Sequence, residues 1–296
     1  MGNPLTMQLI DSKADVDGFV SKLRRARACV LLLDYDGTLA PFRIERDRAF
    51  PYPGVQEVLR QITELRGTRL VILTGRPAKE VTPLLGLEHQ PEIWGSHGWE
   101  RLLPDGKHQV MQPHEWARQA LDLAYDMLLA LACRGVWALG RRVECKLAGL
   151  ALHWRGCPPA VTAEIRASVT EVWGGLARYT GLELCPFEEG LELRVPGRSK
   201  ADAVETIIEE TGEDAAVAYL GDDLADEDAF RALKGRGLSA LVRSEARPSA
   251  ADLWIRPSNE LLQFLWLWED LRDDTQQSID ACTTNGDIFR SYFGIR

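Results

Sequence analysis

Two aspartates one residue apart, Asp34 and Asp36, with Thr38 just behind them, follow directly on the apolar residues 31–33. A carboxylate at the edge of an apolar run is costly unless something pairs with it. Asp and Gly also favour turns, so LLLDYDGTLAP is either a turn or the start of a metal site with a carboxylate nucleophile. Two more polar clusters follow apolar runs: Thr74-Gly75-Arg76 after residues 69–73, and Asp222 and Asp223 with Asp226 after residues 217–220. In an open α/β sheet, ligands bind beyond the carboxyl ends of the strands. Three such clusters make one site if their strands are neighbours. The residue types suit phosphoryl transfer. One carboxylate can attack phosphorus and form an aspartyl phosphate, which divides one hard displacement into two easier ones. A second can protonate the leaving alcohol and then activate water. Magnesium takes oxygen ligands, only one or two of them carboxylates, and would screen the repulsion between an anionic nucleophile and phosphate. A hydroxyl and a lysine can hold the phosphoryl oxygens.

The segments that must position these groups alternate between strand and helix. Residues 14–27 have amphipathic helical spacing, and 28–33 read as a strand apolar on both faces, as buried parallel strands are. Residues 53–66 open with Pro-Gly and place Val55, Leu59, Ile62 and Leu65 at helical intervals. A second buried strand over 69–73, a short helix ending at Leu85, and Ile93-Trp94 leading into GSHGWE complete a doubly wound pattern. From about Pro104 the rhythm changes. Helices over 115–131 and 159–176 are interleaved with VECKLAGLALHWRG and GLELRV, whose alternation implies one covered and one open sheet face. The solid pattern then resumes: a helix over 199–211 with Ala203, Ile207 and Ile208 inward, strands at 217–220, 238–242 and 253–255, and a Trp-rich closing helix over 261–271. The expected fold is α/β: a doubly wound, parallel-sheet, Rossmann-like core in two parts (1–103 and 198–296) around an inserted α+β cap domain (104–197). Residues 272–296 are polar and irregular, either a loose tail or a partner-binding arm.

DYDGT, the TGR turn, a later lysine at a helix start (Lys200) and GDDxxDED, in that order, resemble the four motifs of the haloacid dehalogenase (HAD) phosphatases. More narrowly, LDYDGTLAP, GSHGWE, the E-x-K and H-x-R pattern of VECKLAGLALHWRG, GLELRVPGRSK and GDDLADEDAF resemble trehalose-6-phosphate phosphatases, over about residues 31–267. The resemblance implies a Mg2+ cofactor and a small-molecule sugar phosphate, trehalose 6-phosphate, as substrate. It implies Asp34 as nucleophile, Asp36 as general acid and base, and Thr74 and Lys200 as the pair that holds phosphate. Asp34, Asp222 and the main-chain carbonyl of Asp36 would hold the metal, with Asp226 in a supporting or metal-water role. Two positions depart from the family pattern: Ala201 where Gly is usual and Ala225 where Thr is usual. Neither replaces a catalytic group. The same motifs would also serve a phosphatase for another osmolyte, such as glucosylglycerol or mannosylglycerate phosphate, a sugar phosphomutase, or a silent sugar-phosphate sensor, although a sensor has no need of Asp36.

In the inserted domain Glu144 and Lys146 are two apart and share a strand face. So do His153 and Arg155, and Glu192 and Arg194, with mostly apolar residues at the alternate positions. This face is either an ordinary solvated one or a set of donors and acceptors suited to sugar hydroxyls; the resemblance favours the second, through Glu144, Lys146 and Glu192. His97 and Glu100 in GSHGWE either point into a cleft or bond backbone at a tight turn. Arg76 either contacts substrate or pairs with a core aspartate. The Trp residues near 266–268 read as packing. Asp223, Glu227 and Asp228 either support the site or place charge at a helix start.

Bulk composition sets outer bounds. The 296 residues are 45% hydrophobic, enough for a sizeable core, and 27% charged, as in ordinary globular proteins. A net charge of −9 argues against nonspecific nucleic-acid binding. It leaves an anionic substrate open, because local cations can oppose the net sign. Six scattered cysteines without a CxxC pair suggest neither zinc nor a disulfide framework; several lie in apolar strand-like runs and read as small buried hydrophobes. The N-terminal stretch lacks a signal-peptide plan, and no apolar run is long enough to span a bilayer. The expectation is a cytoplasmic location, with no membrane or nucleic-acid partner.

Overall fold

The computed structural model describes residues 7–133 and 142–273. Cys282 and nearly all of the 272–296 segment lie outside them. The chain divides into two compact units, Met1–His108 with Ser199–Arg296, and Gln109–Arg198. In chain order the elements are β1 (Gln8–Leu9), α1 (Val16–Arg25), β2 (Cys29–Leu33), α2 (Val55–Glu64), β3 (Thr68–Leu73), α3 (Ala78–Leu85), β4 (Glu92–Gly95), β5 (Glu100–Leu102) and β6 (His108–Val110). Then come α4 (Glu115–Cys133), β7 (Val143–Lys146), β8 (Gly149–His153), α5 (Pro159–Thr180), β9 (Glu183–Phe187) and β10 (Gly190–Arg194). The chain continues with α6 (Lys200–Thr211), β11 (Ala216–Gly221), α7 (Glu227–Leu233), β12 (Leu238–Val242), β13 (Leu253–Ile255) and α8 (Asn259–Arg272).

The first unit is built on a sheet in the order β1-β13-β12-β11-β2-β3-β4-β5-β6. From β13 to β4 every neighbouring pair is parallel, and antiparallel β1 and β5 flank them. The solid apolar runs follow from this arrangement. Successive side chains point to opposite faces, and both faces are sealed. Leu31, Leu33, Ile72, Ala218 and Leu220 pack with residues of α1, α2, α3 and α8. Val30, Leu32, Val71, Leu73 and Val217 pack on the other side with α6 and α7. The core is therefore α/β and doubly wound, as the sequence pattern predicts. Trp268 is buried in it, whereas Trp266 is half exposed, because two residues along a helix is more than half a turn.

The second unit has a four-stranded antiparallel sheet, β7-β8-β10-β9, and the two long helices α4 and α5, joined where Trp173 Nε1 donates to the Ala124 carbonyl at 3.3 Å. Pro159 opens α5 and Gly181, left-handed, ends it, the usual asymmetry of helix ends. Among the described cysteines, the expectation of burial is met by Cys29, whereas Cys157 and Cys185 are half-buried and Cys133 and Cys145 exposed. Cys145 sits on β7, an edge strand, where the sheet's apolar face is incompletely covered. No helix among the described residues is long and apolar enough to cross a membrane.

Candidate active site

The condition for a single site is met. Strands β11, β2 and β3 are adjacent and parallel, with Leu220 opposite Leu33 and Leu33 opposite Ile72. Asp34, Thr74 and Asp222 each fall one residue past a strand's carboxyl end. The Asp34 amide donates to the Leu220 carbonyl at 2.8 Å, so the register of the sheet itself fixes where its side chain begins. Lys200 is the first residue of α6, which Ser199 caps by accepting from the Asp202 amide. From there Lys200 Nζ reaches Asp34 Oδ1 and Asp226 Oδ1, each at 2.5 Å. One carboxylate oxygen from each of Asp34, Asp222 and Asp226 lies within 4.8 Å of the others, and all three residues are buried. Gly37 explains its place in DYDGT: its φ is +85°, and a Cβ there would collide with Asp222 Oδ2.

Charge in this trio is unbalanced, with three buried carboxylates facing one ammonium. Two like charges this close repel by roughly 3–4 kcal/mol at an effective dielectric of about 20, so the group calls for a proton or a cation. Asp226 is the satisfied member. Its oxygens accept from Lys200 Nζ, the Tyr219 hydroxyl, and the amides of Asp222 at 3.0 Å and Asp223 at 2.9 Å. Burial opposes its ionised form, but the charge of Lys200 and these hydrogen bonds outweigh it and hold Asp226 below the usual carboxylate range. Burial lowers and the two carboxylates raise the Lys200 ammonium, with a net rise. Asp34 is pushed up to about 7, first by burial and against the pull of Lys200. Asp222 lies well above its ordinary value through burial and the charges of Asp34 and Asp226. The Asp222 residue is 2% exposed and its Oδ1 has no hydrogen-bond partner, and the buried Thr38 hydroxyl has none either. An orphaned carboxylate oxygen beside a second carboxylate, in a pocket of excess negative charge, fits a hard divalent cation with oxygen ligands. Asp226 has no oxygen left to give one, so it fits the supporting role.

Asp36 turns away from the trio. Arg76 holds its carboxylate bidentately, Nε to Oδ2 at 2.6 Å and Nη2 to Oδ1 at 2.5 Å, and donates from Nη1 to the Arg46 carbonyl at 2.7 Å. Of the two readings for Arg76, the pairing with an aspartate is the one observed. The Thr74 hydroxyl accepts from the Arg76 amide at 3.1 Å, which leaves its own O–H free to donate elsewhere. His97 adopts φ +57°, donates its amide to the Thr74 carbonyl at 3.0 Å and lays its ring against Gly75. Glu100 accepts from the Ala78 amide at 3.0 Å and Ser96 Oγ at 2.9 Å, and meets His108 Nε2 at 2.8 Å. The Glu100 side chain thus takes the backbone-bonding role, whereas for His97 it is the main-chain amide that bonds the TGR turn while the ring packs on Gly75. Asp223 caps the Leu224 amide, Glu227 takes the Ala250 amide and pairs with Arg247, and Asp228 pairs with Arg231.

In the second unit, the polar face is not a freely solvated one. The Glu192 side chain is 2% exposed, tied to Lys146 Nζ at 2.9 Å and Arg194 Nη2 at 2.7 Å. Glu144 meets His153 Nε2 at 3.1 Å. The antiparallel register sets Glu144, Ala151 and Glu192 in one row, and Lys146, Gly149 and Arg194 in the next. Arg155 corrects the sequence reading. It lies in a turn beyond the end of β8, its carbonyl accepting from Arg142 Nη1 at 3.4 Å, because β8 stops at His153 and the alternation stops with it.

Tyr219 was not among the candidates, although a signal existed. A lone tyrosine within an aliphatic buried strand has a hydroxyl that must find a partner, and here the partner is Asp226. Comparison with known proteins places these motifs in context. The family model described as trehalose-phosphatase matches residues 32–254. A trehalose-phosphate phosphatase of Mycobacterium marinum is 31% identical over 220 residues, covering 72% of this chain and 53% of that protein. Trehalose-phosphate phosphatase B of Arabidopsis thaliana is 29% identical over 259 residues, covering 81% and 66%. The chain thus spans about half the length of the mycobacterial relative. Among solved structures, the C-terminal domain of Candida albicans trehalose-6-phosphate phosphatase aligns with a TM-score of 0.72 at 18% identity, over 88% of this chain and 99% of that one. A haloacid dehalogenase-like hydrolase from Bacteroides thetaiotaomicron aligns at 0.58 and 16%, over 81% and 98%. At those identities the likeness is one of fold.

Proposed function

We propose that this chain, which belongs to the trehalose-phosphatase family, is a Mg2+-dependent phosphatase that converts trehalose 6-phosphate to trehalose and inorganic phosphate. The observation that carries the reading is the contact of Lys200 with Asp34 inside a trio of buried acids at the ends of three adjacent parallel strands. Asp34 attacks phosphorus through a carboxylate oxygen, and the bond from phosphorus to the sugar oxygen breaks. Asp36, once released from Arg76 and protonated, gives its proton to that oxygen. Water then loses a proton to Asp36 and attacks the aspartyl phosphate, which frees phosphate and restores Asp34. Lys200 and the Thr74 hydroxyl hold the phosphoryl oxygens as charge shifts onto them. Asp34, Asp222 and the Asp36 carbonyl would hold Mg2+, which would supply positive charge between the carboxylate and the phosphate. Asp226 and Tyr219 anchor Lys200, while His97 and Glu100 keep the Thr74 turn in place. Glu144, Lys146, His153 and Glu192 are proposed to read the sugar.

The test is phosphate release across a panel of sugar phosphates, with trehalose 6-phosphate expected to give the highest kcat/KM. EDTA should abolish release and added Mg2+ restore it. Full activity in excess chelator would remove the metal from the mechanism, and preference for another osmolyte phosphate would replace the substrate.

A further inference from the structure

The polar sheet face of the second unit carries one residue that its chemistry does not explain. The register pairs His153 with Gly190 and Gly190 with Phe187, and paired residues of antiparallel strands point to the same side. Phe187 therefore stands on the face of Glu144, Lys146 and Glu192, and not on the face of Leu191 and Leu193. It is half-buried. Its ring meets that of His153 at a centroid distance of 5.1 Å and an angle of 64°. It lies across the Gly190 backbone so closely that a Cβ at Gly190 would run into three of its ring atoms. An apolar ring set among charged groups gains little burial there, so its placement is a cost unless something apolar covers it.

A pyranose ring is such a partner. One of its faces presents C–H bonds and its rim presents hydroxyls, and small-molecule sites pair an aromatic wall with a few placed polar groups. The row beside Phe187 supplies those groups in Glu144 and Glu192, with only Ala151 between them. We infer that Phe187 is the platform on which a sugar ring of the phosphorylated disaccharide stacks, with Glu144, the more accessible of the two carboxylates, taking a hydroxyl. This assignment rests on the proposed function and adds to it a residue that selects for a pyranose. The competing role is structural, since an aromatic opposite a glycine also fills a gap in a sheet.

The experiment compares wild type, Phe187→Ala and Phe187→Trp on trehalose 6-phosphate and on acetyl phosphate, which has no ring to stack. The selectivity ratio, kcat/KM for the first over the second, should fall about 3- to 10-fold in Phe187→Ala, the scale of an aromatic contact, mostly through KM. It should be held in Phe187→Trp, which keeps the platform. An unchanged ratio in Phe187→Ala overturns the inference, whether the protein is as stable as before or less so. Loss of the ratio in Phe187→Trp as well overturns it too, since stacking would survive there. A wild-type chain inert toward trehalose 6-phosphate sinks the parent reading, and this one with it. A wild-type chain active on it, with an unchanged ratio in Phe187→Ala, sinks this inference alone.

Discussion

Asp34, Asp36, Asp222 and Asp226 are chemically identical side chains, and their surroundings give them four different circumstances. Asp226 has four donors, Asp36 has a bidentate arginine, Asp34 shares Lys200, and Asp222 keeps an orphaned oxygen. Asp34→Asn removes the nucleophile and Asp36→Asn the proton carrier. Each should lower turnover by at least about 10²-fold while circular dichroism stays native, because neither side chain is part of the apolar core. Normal turnover in folded variants would reduce both to turn formers. Tyr219→Phe takes one donor from a fully buried carboxylate. A hydrogen bond to a charged group is worth about 1.5–3 kcal/mol, so the urea midpoint should drop correspondingly, and an unmoved midpoint would mean that Tyr219 does not help hold Asp226.

At the scale of elements, the site depends on three strands ending together. Their ends coincide because β11, β2 and β3 run parallel and in register with both faces packed. Leu32, fully buried among residues of α6 and α7, is a direct probe of that packing. Leu32→Ala should cost about 2–5 kcal/mol in urea unfolding, and a cost below about 1 kcal/mol would show that this face is loosely filled. The turn after β2 is equally specific. Gly37→Ala puts a side chain at φ +85° and against Asp222, so activity should fall and the Mg2+ concentration for half-maximal rate should rise. Unaltered Mg2+ dependence would separate the turn from the metal-binding acids.

For the whole molecule, the two units carry different chemistry. The first holds the acids, hydroxyl and lysine that a phosphoryl group needs, and the second holds an ion-paired polar sheet face suited to hydroxyls. Substitution of Glu144, Lys146 or Glu192 by Ala should therefore lower kcat/KM on trehalose 6-phosphate by about 5- to 150-fold, the range expected when buried polar partners are left unpaired. Hydrolysis of p-nitrophenyl phosphate should suffer much less. Equal losses on both substrates would place these residues in support of the fold or of the chemistry.

Much of this was legible in the chain alone. Solid apolar runs of four to six residues, with Asp or Thr at or one residue past their ends, specify buried parallel strands with polar ends, since only a strand covered on both faces lacks alternation. That pattern gave the core, the three clusters and the identities of Asp34, Thr74 and Asp222. Spacing could not say which strands are neighbours, because adjacency of β11 and β2 joins residues nearly two hundred positions apart. Nor could it choose between the two roles of Arg76, since a guanidinium reaches several partners and only packing around Tyr35 and the Arg46 carbonyl selects Asp36. Period-two alternation paired His153 with Arg155, but a strand's end is set by the turn that follows it, and the turn after His153 breaks the pairing. The sequence determined which chemical groups are available; the tertiary structure decided which carboxylate is satisfied, which is held by arginine and which is left with an unpaired oxygen, because burial and partners act only once distant strands have come together.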